Sequence, residues 1–180
     1  HSKLQMKILV TGGAGFIGSY VVDGLINDGH HVVIVDDLST GFEKNINPQA
    51  KFYKTTICDE KKINDIFKNE KPDIVNHHAA QMDVRRSTRE PVYDAKVNIL
   101  GSLVILQSSL QNNIKKFIYV GSAGASYGEP KYLPMDEVHP IEAISEYGIP
   151  RTAAAMAPLS SAVKRAAVPP EITTKVKSRG

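Results

Sequence analysis

The stretch Lys7-Ile8-Leu9-Val10-Thr11-Gly12-Gly13-Ala14-Gly15-Phe16-Ile17-Gly18 decides how this chain is read. An apolar run that meets glycines and then a helical pattern predicts a short buried strand turning tightly into a helix. Such a turn leaves backbone N–H groups at a helix N-terminus, where a pyrophosphate is held without a clashing Cβ. Glycine-rich turns are common, so the flanks matter more than the glycines. Phe16, Ile17, Val21, Val22, Leu25 and Ile26 recur at helical spacing, and Asp28-Gly29 supplies a stop. A second apolar run, His31 to Val35, ends in Asp36, about twenty residues past the glycines, where a carboxylate can meet an adenosine ribose. Gly12, Gly15, Phe16, Ile17, Gly18 and Asp36 are therefore the first candidates for holding a dinucleotide.

Bulk properties narrow the choice of class. The 180 residues suffice for one domain with a sizeable core. The net charge of +3 belongs to the tail: residues 1–150 carry 16 Lys/Arg against 18 Asp/Glu, and residues 151–180 carry 6 against 1. Basic residues scattered along a tail without interleaved aromatics argue against nucleic-acid binding. Cys58 is the single cysteine, so no intrachain disulfide forms and a reducing, cytoplasmic setting is expected. No apolar run approaches the ~18 residues that span a bilayer, and no membrane partner is expected. Residues 1–5, ahead of Met6, read as a leftover of cloning.

Along residues 6–150 short apolar runs alternate with helical patterns. Strands are predicted at Lys7 to Val10, His31 to Val35, Lys51 to Lys54, Asp73 to His77 and Lys116 to Val120, and helices at 15–28, 60–69 and 91–112. Strand–helix alternation implies right-handed crossovers, hence an α/β domain with a doubly wound, mainly parallel sheet whose site lies at the carboxyl ends of the strands. From Arg151 onward, Ala153-Ala154-Ala155, Pro158 and Pro169-Pro170 break any sustained pattern. This tail is left unassigned, as a short Ala-rich helix with loose chain or as a segment foreign to the first 150 residues.

The sequence resembles the extended short-chain dehydrogenase/reductase family, and within it the nucleotide-sugar epimerases of UDP-glucose 4-epimerase type. Four motifs carry the resemblance: Met6 to Ser19, Asp36-Asp37-Leu38-Ser39-Thr40-Gly41, His77-His78-Ala79-Ala80-Gln81, and Ser145-Glu146-Tyr147-Gly148. It implies a Rossmann-like fold over residues 6–150, NAD as cofactor, a UDP-sugar as substrate, and a homodimer pairing through 91–112 and the helix that starts at Tyr147. Nothing in 151–180 resembles the family's substrate-binding segment. By the same resemblance Asp37, Ser39, Thr40 and Gly41 join Asp36 around the adenosine ribose. Thr56 and Ile57 flank the adenine, with Thr56 standing where the family usually has an acid. His77, Ala79, Ala80, Gln81, Asn98 and Tyr147 lie on the nicotinamide side. Asp36 and Asp37 side by side favour NAD over NADP, because a 2′-phosphate meets two carboxylates with no arginine adjacent.

The resemblance further implies transient oxidation at the sugar C4, with Ser122 and Tyr147 acting on the C4 hydroxyl. Such work at neutral pH asks a phenol to ionise well below its ordinary value of about 10. A lysine four residues after the tyrosine normally helps; here that position is Arg151, preceded by Pro150. Arginine keeps the charge but not the point contact, and proline beyond the first turn of a helix capped at Ser145 removes a hydrogen bond. Impaired catalysis is the expectation, and a non-catalytic NAD-binding module is the alternative. Ala123-Gly124 after Ser122, in place of acidic residues, favours epimerisation over dehydration. The His30-His31 and His77-His78 pairs point to opposite faces of their strands, so no metal site is expected. Arg85, Arg86 and Arg89 gather near a predicted helix start, as a solvated face or a phosphate contact.

Overall fold

The computed structural model describes residues 4–136, 138–142, 148 and 150, without the side chains of Ala123 and Gly124. Tyr147, Arg151, the Ser145 cap and the tail 151–180 therefore lie outside the described residues.

Five strands form one parallel sheet in the order β3-β2-β1-β4-β5: β1 Lys7–Thr11, β2 His31–Asp36, β3 Lys51–Lys54, β4 Ile74–His77 and β5 Lys116–Tyr119. Order and direction match the doubly wound expectation. Leu9 pairs with Val33 and Val75, and Val75 with Phe117, so apolar residues stand in register across β2, β1, β4 and β5. Both faces of β1 are covered, which is why Ile8, Leu9 and Val10 run on without polar alternation. Leu9, Val33, Val35, Val75 and Phe117 pack against Ile63, Ile66 and Phe67 of α2 (Glu60–Glu70) and Ile105 and Leu106 of α5 (Ser102–Gln111). Ile8, Val10, Val32 and Ile34 face Val22 of α1 (Phe16–Asn27) on the opposite side.

Local signals set the boundaries. The Asp59 side chain accepts the Lys62 N–H at 3.1 Å and starts α2, and left-handed Lys71 before Pro72 ends it. The single helix predicted over 91–112 is instead α4 (Pro91–Ala95), a π-helical segment Lys96–Gly101, and α5, in unbroken succession. Gly101 lets this segment approach the stretch between β3 and α2, since a Cβ there would stand 2.7 Å from Ile57 Cδ1. Two short α-helices and a 3-10 turn, Glu43–Asn45, were not predicted. The first is α3 (Val84–Arg89), capped by the Asp83 carboxylate, which accepts the N–H groups of Arg85 and Arg86; the second is α6 (Ala123–Tyr127). Neither carries an apolar stripe long enough to read as periodic.

At the amino end of the sheet a carboxylate is almost enclosed. Glu70 is 5% exposed and accepts from Lys7 Nζ at 3.3 Å, from Lys51 Nζ and from the Tyr53 hydroxyl. Burial alone pushes its pKa up; bonds from Lys51, Tyr53 and Lys7 outweigh that and leave it below its ordinary value. Among the described residues no helix is long and apolar enough to cross a membrane.

Candidate functional site

The glycine turn is held to β2 by the Gly12 N–H, which donates to the Val35 carbonyl at 2.8 Å, and it closes on itself through Gly15 N–H to Gly12 O at 3.1 Å. Gly12 has φ +71°, and a Cβ on it would lie 2.7 Å from Ala79 N. A Cβ on Gly18 would lie 2.1 Å from Gly12 O. Any side chain at either position would force the backbone apart, so the start of α1 is open backbone. No side chain caps that helix. Its first-turn N–H groups and dipole therefore face the cavity as an anion site.

That cavity has a volume of about 360 Å³ and lies across the carboxyl ends of β2, β1 and β4. It gathers most of the expected residues: Gly12, Gly15, Phe16, Ile17 and Gly18 from the turn and the start of α1, Asp36 at the end of β2, Asp37, Ser39 and Thr40 beyond it, and Thr56 and Ile57 after β3. Ala79, Ala80 and Gln81 after β4, and Ser122 after β5, complete the set. The Asp36 carboxylate binds the turn itself, Oδ2 accepting the Ala14 N–H at 3.0 Å and Oδ1 the Leu38 N–H at 2.8 Å. A carboxylate has about four acceptor positions, so capacity remains for hydroxyl donors in the cavity.

Three expected residues stand behind the wall. Gly41 packs on the glycine turn, where a Cβ would be 2.9 Å from the Ala14 carbonyl. Asn98 is fully buried and exchanges two hydrogen bonds with the Gln81 backbone, accepting its N–H at 2.9 Å and donating to its carbonyl at 3.0 Å. His77 is fully buried between Thr11 and Ser102. Tyr147 and Arg151 lie outside the described residues.

Sequence reading missed Thr55, Met82, Tyr93 and Val97 among the residues that line the cavity, and it left Arg86 open between a solvated face and a phosphate contact. Arg86 is not simply part of a solvated face: it pairs with Glu90 at 3.1 Å and lays its guanidinium 3.9 Å from the Tyr93 ring centre. Only the Arg86–Glu90 spacing of four was visible in the sequence; the chain leaves helical geometry at Glu90, φ −130° and ψ 58°, and it is this break between α3 and α4 that brings the Tyr93 ring to the guanidinium. Arg86 follows β4 whereas Asp36 ends β2 and Asp37 follows it, so the acidic end of the cavity has no Lys or Arg among its described lining residues. The described residues contain no group of three His, Cys, Asp or Glu arranged for a metal ion.

A profile of the NAD dependent epimerase/dehydratase family matches residues 8–164. The chain belongs to this family. A putative UDP-glucose 4-epimerase of Methanocaldococcus jannaschii is 50% identical over 145 residues, covering 79% of this chain and 46% of the relative. The UDP-glucose 4-epimerase of Lactobacillus helveticus is 41% identical over 143 residues, covering 79% and 43%. The crystal structure of a Thermotoga maritima UDP-glucose 4-epimerase with UDP-glucose superposes with a TM-score of 0.81 at 49% identity, covering 84% of this chain and 49% of that one. A Thermus thermophilus UDP-glucose 4-epimerase in complex with NAD gives 0.80 at 36% identity, covering 83% and 49%. This epimerase/dehydratase domain thus spans about half the length of the relatives it matches. Its glycine-rich turn, uncapped helix and acid at the end of β2 are a donor and acceptor set that fits a dinucleotide.

Proposed function

We propose that this chain binds NAD in the cavity and supplies the cofactor-binding part of a nucleotide-sugar epimerase acting between UDP-glucose and UDP-galactose. The observation that carries the reading is one cavity bounded by both the open start of α1 and the Asp36 carboxylate. N–H groups of the turn and of residues 16–18 hold the diphosphate, and Asp36 accepts from the adenosine ribose. Asp36 and Asp37 repel a 2′-phosphate. The loop Ala79–Gln81 walls the other half. NAD, when bound, supplies the means to accept and return a hydride at the sugar C4. Ser122 orients the C4 hydroxyl, Tyr147 takes and returns its proton, and Arg151 provides the positive charge that favours phenolate. Relatives solved with NAD and with UDP-glucose support the assignment.

The same proposal includes a cytoplasmic homodimer. Along 91–111 the apolar side chains Val92, Leu100, Leu103 and Leu110 are exposed by 82%, 58%, 40% and 37%, a helical stripe of the kind that pairs with a second copy. Sedimentation at two protein concentrations checks it. A second reading, an NAD-binding module without turnover, is favoured by Pro150-Arg151. Calorimetric titration tests the binding claim: NAD gives saturable heat and NADP at least about tenfold weaker binding, the scale of one unfavourable charge contact. Equal binding of both, or of neither, refutes it. Conversion of UDP-galactose to UDP-glucose by the NAD-loaded protein separates enzyme from module.

A further inference from the structure

His77 ends β4 with both ring nitrogens engaged, Nδ1 at 2.6 Å from Thr11 Oγ1 and Nε2 at 3.0 Å from Ser102 Oγ. Its neighbours decide where the proton sits. Ser102 Oγ has one hydrogen and donates it to the Asn98 carbonyl at 2.9 Å, so it accepts from His77. Nε2 therefore carries hydrogen. Thr11 Oγ1 accepts the Ala79 N–H at 3.2 Å and has its own proton left for Nδ1. The donors run one way: Ala79 N–H to Thr11, Thr11 O–H to His77, His77 N–H to Ser102, Ser102 O–H to Asn98.

This row of donors begins on the loop after β4 and ends at the main-chain carbonyl of a residue whose side chain holds the same loop. Ala79 is its first member, and the Asn98 amide at its far end grips the Gln81 backbone through two bonds. Asn98 belongs to the π-helical segment, a local widening of the helix that recurs at functional sites. The Phe117 and Tyr119 rings lie with centroids 6.0 and 5.5 Å from the imidazole and close the polar row from the side. With the adenosine half of a dinucleotide at the acid after β2, the other half crosses β1 and lies against the loop after β4.

We propose that His77, neutral with its proton on Nε2, is a positioning residue that fixes the Ala79–Gln81 wall against the nicotinamide half of the dinucleotide. The proposal rests on the dinucleotide reading above. An imidazolium, or the opposite tautomer, points a ring N–H at Thr11, whose own hydrogen then loses its buried acceptor.

The first test needs no variant. Long-range proton–nitrogen correlation of the 15N-labelled chain should show the His77 Nδ1 as a bare ring nitrogen and Nε2 as a protonated one. The reversed pattern overturns the proposal. The second test titrates wild type, His77→Leu and His77→Gln with NAD and with ADP-ribose, which lacks nicotinamide. His77→Leu should weaken NAD about tenfold while changing ADP-ribose by less than about twofold, the scale of one or two buried hydrogen bonds felt on one side of the cavity. Glutamine can both accept and donate near the ring's polar positions and should recover most of the NAD affinity. Equal losses for both ligands, or none, sink the positioning role alone. Wild type that binds neither ligand sinks the dinucleotide reading as well. Should His77→Leu not fold, Ser102→Ala keeps the imidazole, removes the acceptor of Nε2–H together with the Ser102 bond to the Asn98 carbonyl, and serves the same comparison.

Discussion

Replacing Gly18 by alanine sets two effects of opposite sign against each other in one helix. Alanine favours a helix over glycine by about 1 kcal/mol. The added Cβ, however, would stand 2.1 Å from Gly12 O, 2.9 Å from Gly12 C and 3.1 Å from Gly13 Cα, where ordinary contact begins near 3.4 Å. The obstacle is backbone, so the start of α1 must retreat by more than 1 Å from the turn. That movement strains the Gly15 N–H to Gly12 O bond and displaces the N–H groups that hold the ligand. Overpacking of this kind costs about 1–3 kcal/mol and exceeds the propensity gain in most of that range. We expect Gly18→Ala to lose about 1–2 kcal/mol of stability net. NAD affinity should fall by about 100-fold, because misplacement on the ångström scale is costly at a preorganised site. A Cβ on Gly24 of the same helix would meet nothing within 4 Å, so Gly24→Ala should gain about 1 kcal/mol and leave binding unchanged. Urea unfolding followed by circular dichroism, together with NAD calorimetry, reads both variants. Gly18→Ala that matches Gly24→Ala in stability and affinity refutes the steric argument.

Further outcomes follow from other contacts. Asp36→Ala removes the acceptor of two backbone N–H groups and should cost about 2 kcal/mol of stability as well as NAD affinity, read by the same two assays; an effect on affinity alone contradicts the structural role given to Asp36. Glu70 has a pKa held below its ordinary value, so its contribution is complete above the usual carboxylate range and is lost as pH falls through the lower folded value. Glu70→Gln should therefore flatten the acid limb of the stability curve, and an unchanged acid limb tells against the ion-pair network. Arg86→Ala should weaken packing on Tyr93 and release Glu90, shifting the thermal midpoint slightly, because this surface pair is worth at most about 1 kcal/mol.

The sheet was legible because its inner strands β1 and β2 are buried on both faces and read as unbroken apolar runs, and the shorter strands β3, β4 and β5 each keep an apolar pair between polar flanks. All five predicted strands match observed ones to within one residue at each end, and the helices behind β1 and before β4 follow from their stripes. The interruption at Lys96–Gly101 was not legible, since one widened turn does not disturb apolar spacing enough to be seen. Much of the candidate site was readable because glycine spacing and the acid after β2 are local signals. Arg86, Met82 and Tyr93 were not, since their place on the cavity depends on how α3 and α4 fold over the β4 loop. Thr11 and Ser102 look like ordinary small polar residues in sequence; only a buried histidine between them gives them direction.

The most direct measurement is backbone amide NMR of the chain titrated with NAD. The account predicts saturable shifts at Gly12, Gly15 to Gly18, Leu38 and Ala79 to Gln81, the groups that line or brace one cavity. Shifts confined to other parts of the fold, or no shifts at millimolar NAD, would contradict it.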